Sequence, residues 1–170
     1  GNGYTDEWLA EAEKRGLYNL VSTPDALPHF VDEKNEKLLT SHHIFTNAEL
    51  HSRYEIKLEN YVKTIGIEAR TLAEMITKDF LPAVSTYAAE VSKNAAAKKS
   101  FMAAADTASE EALVEKLSTA YTALTAEVTE LKTLIDTSFA LEDTQKCAEA
   151  FHDQVLALSL IHISEPTRRS

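Results

Sequence analysis

His42, His43 and His51 stand close to Glu49 and Glu55, and imidazoles with carboxylates are the donor set of zinc and iron sites. Their spacing matches no metal template: adjacent histidines on a loop, followed by one on a helix face, read as solvated side chains. Ser52 beside His51 and its acidic neighbours makes no catalytic triad, because neighbours on a helix point about 100° apart and cannot align as nucleophile and base. Cys147, the single cysteine, has no partner for an internal disulfide. It is expected on an apolar stripe between Asp143 and Phe151, as a buried small hydrophobe rather than a reactive thiol. Gly1-Asn2-Gly3-Tyr4 lacks the Lys-Ser or Lys-Thr that would make it a phosphate-cradling loop. Glu110-Glu111 and the set Glu7, Glu11, Glu13 read as solvated helix faces. No residue is assigned a catalytic, cofactor-binding or metal-binding role.

The elements that would position such residues are helical. Thr5 can N-cap a short helix with Asp6 and Glu7 in its first turn, Lys14 and Arg15 in its last, and a stop at Gly16. Thr23-Pro24 predicts a second short turn of helix, capped by Thr23 and limited by Pro28, and Asp32 to Leu39 predicts a third. Thr46-Asn47-Ala48-Glu49 is a capping box. From it should run a long helix with an apolar stripe of Leu50, Tyr54, Leu58, Tyr61, Ile65, Leu72, Ile76 and Phe80, in which Gly66 is a tolerated weak spot. Pro82 predicts a kink or break before helix resumes through Lys98. Asp106 to Glu111 carries the next start signal. Val114, Leu117, Tyr121, Leu124, Val128, Leu131 and Ile135 then alternate spacings of three and four, a coiled-coil seam. Its expected partner in an antiparallel hairpin is either the long helix around Tyr61 or a last helix carrying Leu141, Ala148, Phe151 and Val155. The fold class that follows is all-α: a helical bundle with long helices and an antiparallel coiled-coil-like hairpin.

A chain of 170 residues with 44% hydrophobic residues, four glycines and four prolines is about one folded domain and excludes collagen-like, low-complexity and disordered classes. Its formal charge of -10 repels phosphate backbones and anionic headgroups, so neither nucleic acid nor membrane is the expected partner. With one cysteine and no apolar run near the ~18 residues of a membrane span, a cytoplasmic location is expected. No methionine precedes Met75 and no leader-type segment opens the chain, which predicts a piece of a longer polypeptide. Leu158 to Arg168 (LSLIHISEPTR) abandons the preceding composition. It looks like one reading frame of a transposon-type sequencing-library adapter, so residues 158–170 are expected to be an artefact tail outside the fold.

Several blocks, GNGYTDEWLAEAEKRGLYNL, TPDALPHFV, FTNAELHSRYEIKLENYVKTIGIEARTL and FLPAV, together resemble the C-terminal region of the bacterial type III glutamine synthetases. The resemblance is close from Gly1 to Ala73 and looser from Ser85 to Ala157. It implies a parent enzyme that phosphorylates the glutamate side-chain carboxylate with ATP and a divalent metal, Mg or Mn, and lets ammonia displace the phosphate. The family's metal carboxylates, nucleotide pocket and glutamate-binding arginines lie upstream of Gly1, and its closing tail is absent, so truncation at both ends is expected. On this basis residues 1–5 are the end of the catalytic domain or a linker, 6–157 a truncated helical C-terminal domain, and 158–170 the tail. The implied role is structural or in assembly, without activity of its own. The implied partners are the upstream catalytic domain of the same chain and further copies in a homo-oligomer. A different class stays open beside it: a stand-alone helical coiled-coil protein-interaction module that uses the Val114 to Ile135 seam.

Overall fold

At the helix ends the local signals become hydrogen bonds. The computed structural model describes residues 3 and 5–164, with side chains through Ser159; Gly1, Asn2, Tyr4 and 165–170, and with them most of the N-terminal glycine motif and the end of the tail, lie outside the described residues. Thr5 caps α1 (Asp6–Lys14), its hydroxyl accepting from the Trp8 amide at 3.4 Å, and Gly16 follows with φ 71°, a left-handed conformation that glycine adopts at no steric cost. α2 (Thr23–Ala26) is capped one residue earlier than expected, by Ser22, which accepts from the Asp25 amide at 3.2 Å. Thr23 is already helical. Pro28 does not end the helical path either: the chain tightens into a 3₁₀ turn, Leu27–Val31, with the proline at its start, where a missing amide hydrogen costs nothing. α3 spans Glu33–Ser41.

The capping box forms as expected. The Thr46 amide donates to Glu49 Oε2 at 2.8 Å and the Glu49 amide donates to Thr46 Oγ1 at 3.2 Å, opening α4 (Asn47–Met75). The break predicted at Pro82 is absent. The chain instead passes through a π turn, Ile76–Phe80, where the Leu81 amide donates back to the Ile76 carbonyl, and α5 (Leu81–Phe101) starts with Pro82 in its first two positions. The wider turn absorbs the missing donor and the ring clash. Its extra residue also shifts the helical register, and Phe80, expected on the apolar stripe, is 50% exposed.

Two compact units form, Gly1–Val62 with Asp143–Glu149 and Lys63–Glu142 with Ala150–Ser170. In the first, Leu50, Leu58 and Val62 of α4, Cys147 and Ala148 of α7 (Thr144–Ala150), and Pro24 are buried.

The second unit contains the hairpin. α5 pairs with α6 (Ala108–Phe139), whose first amide donates to Asp106 Oδ1 at 3.0 Å. Lys98 and Lys99 of α5 pair with Glu110 and Glu111 of α6 beside the connection. α5 belongs to neither of the two segments expected as partner of the seam, and it takes the first half of α6 while the last helix, one of those two, takes the second. Its packing face is Leu81, Val84, Ala88, Val91 and Ala95, buried or half-buried at heptad spacing; alanines carry so little apolar surface that the stripe does not stand out in the sequence. The short connection makes α5 the natural antiparallel neighbour. Further along, α6 packs on a terminal π-helix, Phe151–Ser164, so Phe151 and Val155 do face the seam as one alternative expected. Val128, Leu131 and Ile135 are buried there, whereas Val114, Leu117 and Leu124 are half-buried and Tyr121 is 38% exposed. Leu141, expected on the same face, lies between α6 and α7 and is exposed. Gly66 is buried against Phe139 and Phe151, and so is a close-approach position rather than a weak spot.

Candidate functional site

The side chains singled out for chemistry do not converge. His42 ends α3, His43 adopts φ 53° in the turn, and His51 of α4 places Nε2 3.5 Å from Glu36 Oε1. Of the three only His43 lines a depression of about 540 Å³, with Thr40, Ile44, Phe45, Thr46, Asn47 and Glu49. The Glu49 carboxylate is committed to the Thr46 amide and hydroxyl, which hold it below the usual carboxylate range, the amide contributing most. Ser52 and Glu55 are exposed on α4. Among the described residues no three His, Cys, Asp or Glu side chains gather as a metal set. Cys147 is 7% exposed and burial pushes its thiol up, which leaves it protonated and unreactive at neutral pH.

The polar constellation that the fold does build centres on Gln145 of α7, a residue the sequence reading passed over. Its Nε2 donates to the Pro24 carbonyl at 2.9 Å and to Glu149 Oε1 at 2.8 Å, while its Oε1 accepts from the Tyr54 hydroxyl at 3.0 Å. One amide thus ties α2, α4 and α7 together. Burial, and after it the charges of Glu55, Asp143 and Glu149, push the Tyr54 phenol up, so it stays a donor. The available signal was modest: an amide among the apolar positions of a short helix, able to donate and accept at once. The arrangement positions backbone and contains no nucleophile beside a base.

A family model described as the glutamine synthetase C-terminal domain matches residues 1–99. The chain belongs to the glutamine synthetase C-terminal domain family. It is 50% identical over 102 residues to a glutamine synthetase of Butyrivibrio fibrisolvens, and 37% over 87 residues to one of Bacteroides fragilis (strain YCH46). It is 46% identical over 83 residues to the type-3 glutamine synthetase of Dictyostelium discoideum. These matches take in 60%, 51% and 49% of the chain but only 15%, 12% and 11% of those relatives. The glutamine synthetase match takes in α1 to most of α5 and the Thr46–Glu49 box; α6, α7 and Gln145 lie beyond residue 99. The carboxylates among the described residues are spread over helix faces or tied into caps and do not gather as the donor set that a divalent metal needs. No helix among the described residues is long and apolar enough to cross a membrane.

Proposed function

We propose that this chain is the C-terminal helical domain of a type III glutamine synthetase, with a structural and assembly role and no activity of its own. The observation that supports it is the family match over residues 1–99, a small share of enzymes that are far longer. On this reading ATP, Mg or Mn, glutamate and ammonia are handled by the catalytic region of a cytoplasmic, homo-oligomeric parent. This domain supplies packed helical surface to it. The helix-tying role of Gln145 and the hairpin of α5 and α6 suit a rigid appendage. Two assays test the reading. The purified chain, given glutamate, ammonia, ATP and Mg or Mn, is expected to form no glutamine, and measurable metal-dependent turnover would overturn the assignment. Appended to the Butyrivibrio fibrisolvens enzyme in place of its matching segment, the chain is expected to support activity and assembly; loss of both, with the fusion folded, would also overturn it.

A further inference from the structure

We propose that α1 and residues 17–21 form the surface through which this domain docks on the preceding catalytic region of its parent chain, an inference that rests on the function proposed above. α1 buries no residue, although it presents Trp8 and Leu9, and the segment after it leaves Leu17, Tyr18 and Val21 exposed, Val21 at 86%. Among the described residues, six of the eighteen exposed large apolar residues fall between positions 8 and 21; a cluster of this density marks a contact surface rather than scatter. A nine-residue helix is marginal by itself. Among the described residues it packs only lightly, with Glu11 and Ala12 half-buried.

Charge identifies the occupant. The same segment carries Asp6, Glu7, Glu11 and Glu13 against Lys14 and Arg15, and Arg15 is tied to Glu11 at 2.7 Å and lies over the Trp8 ring, which leaves the segment net acidic. A second copy docking face to face through the same patch would set acid against acid. A partner with an apolar centre and a basic rim fits instead. The family match includes α1, and the Butyrivibrio fibrisolvens relative carries about six times as much chain as it shares with this one. Tethering to that remaining chain gives a high effective concentration, so a patch of mixed polarity is enough for a domain interface.

The test is hydrogen exchange of residues 6–21, read by mass spectrometry in the isolated chain and in the fusion to the Butyrivibrio fibrisolvens catalytic region. Exchange is expected to slow at least ~10-fold in the fusion. Leu17→Glu with Val21→Glu should abolish that protection while leaving 128–135 protected and the melting temperature of the isolated chain unchanged, because both positions are exposed there. An active fusion whose residues 6–21 exchange as fast as in the isolated chain overturns the docking surface and leaves the function standing. A folded fusion that neither works nor assembles removes the function beneath it. A fusion that folds only once residues 6–21 are deleted, or a concentration-dependent dimer of the isolated chain that Val21→Glu dissolves, also overturns the proposal.

Discussion

A Cβ on Gly66 of α4 would lie 2.7 Å from Cζ and 3.1 Å from Cε2 of Phe139 at the end of α6. Phe151 meets the ring edge-on at 4.7 Å between centroids and the Arg70 guanidinium lies over it at 4.7 Å, while Phe139 stays 38% exposed on its open side. Glycine inside a helix ordinarily costs ~1 kcal/mol relative to alanine. Here the missing side chain is what lets the aromatic cluster close. Gly66→Ala is expected to lose ~1–2 kcal/mol in urea unfolding, because overpacking of ~1–3 kcal/mol exceeds the gain in helix propensity. Phe139→Leu should absorb the clash, so the double variant is expected to be more stable than the sum of the single losses. Additive losses would mean that the two residues do not press on each other.

Ser138 supplies a second prediction. It is 2% exposed, and its hydroxyl has no hydrogen-bond partner among the described residues, unlike Thr133 and Thr137 nearby, whose hydroxyls donate to carbonyls one turn back. A buried unsatisfied hydroxyl costs ~1–3 kcal/mol. Ser138→Ala is expected to raise stability by ~1 kcal/mol, checked by thermal and urea unfolding. A clear loss would reveal a partner for this oxygen.

The seam of α6 should show a gradient. Leu131 is fully buried where α6 meets the π-helix, while Leu124 is half-buried beside the alanine-rich face of α5. Leu131→Ala is expected to cost ~2–5 kcal/mol and Leu124→Ala less than ~2 kcal/mol. Because the partner helices belong to the same chain, neither loss should depend on protein concentration. Melts at two concentrations tenfold apart, with light scattering, check both points. A larger loss at Leu124 than at Leu131, or a drop in mass, would show the first half of the seam closing on another subunit.

These contrasts explain what was legible in the sequence. Caps are local, so Thr5, Gly16 and the Thr46–Glu49 box could be read from a few residues, and the seam of α6 from its period. The partner α5 was not legible, because Ala88 and Ala95 mark a packing face too weakly for their composition to show it. Gly66 was misread for a different reason: the atom that makes it necessary belongs to Phe139, distant in sequence. Pro82 announced a disturbance correctly, but whether a helix breaks or takes on an extra residue depends on surroundings the local sequence does not contain. At the polar sites, the histidines stand together in sequence without meeting in space, and Gln145 does the reverse.

Acid dependence at the start of α4 follows from the capping box. The hydrogen bonds from the Thr46 amide, and after it the Thr46 hydroxyl, hold the Glu49 carboxyl below its ordinary value near 4.5. A group whose folded pKa is depressed contributes stability above its unfolded pKa, because there the carboxylate exists in both states and only the folded one gains the bonds. That contribution declines once pH falls below the unfolded value and is gone below the folded one. Glu49→Gln keeps a side-chain oxygen able to accept but removes the titration. The melting temperature of the native chain is therefore expected to fall more steeply than that of Glu49→Gln between about pH 5 and pH 3, with the gap at neutral pH shrinking as the pH drops. Thr46→Ala removes the hydroxyl bonds and keeps the amide bond. Its acid limb should lie between the two, since the amide contributes the larger share. Parallel limbs for all three proteins, followed by circular dichroism, would show that the box does not form in solution.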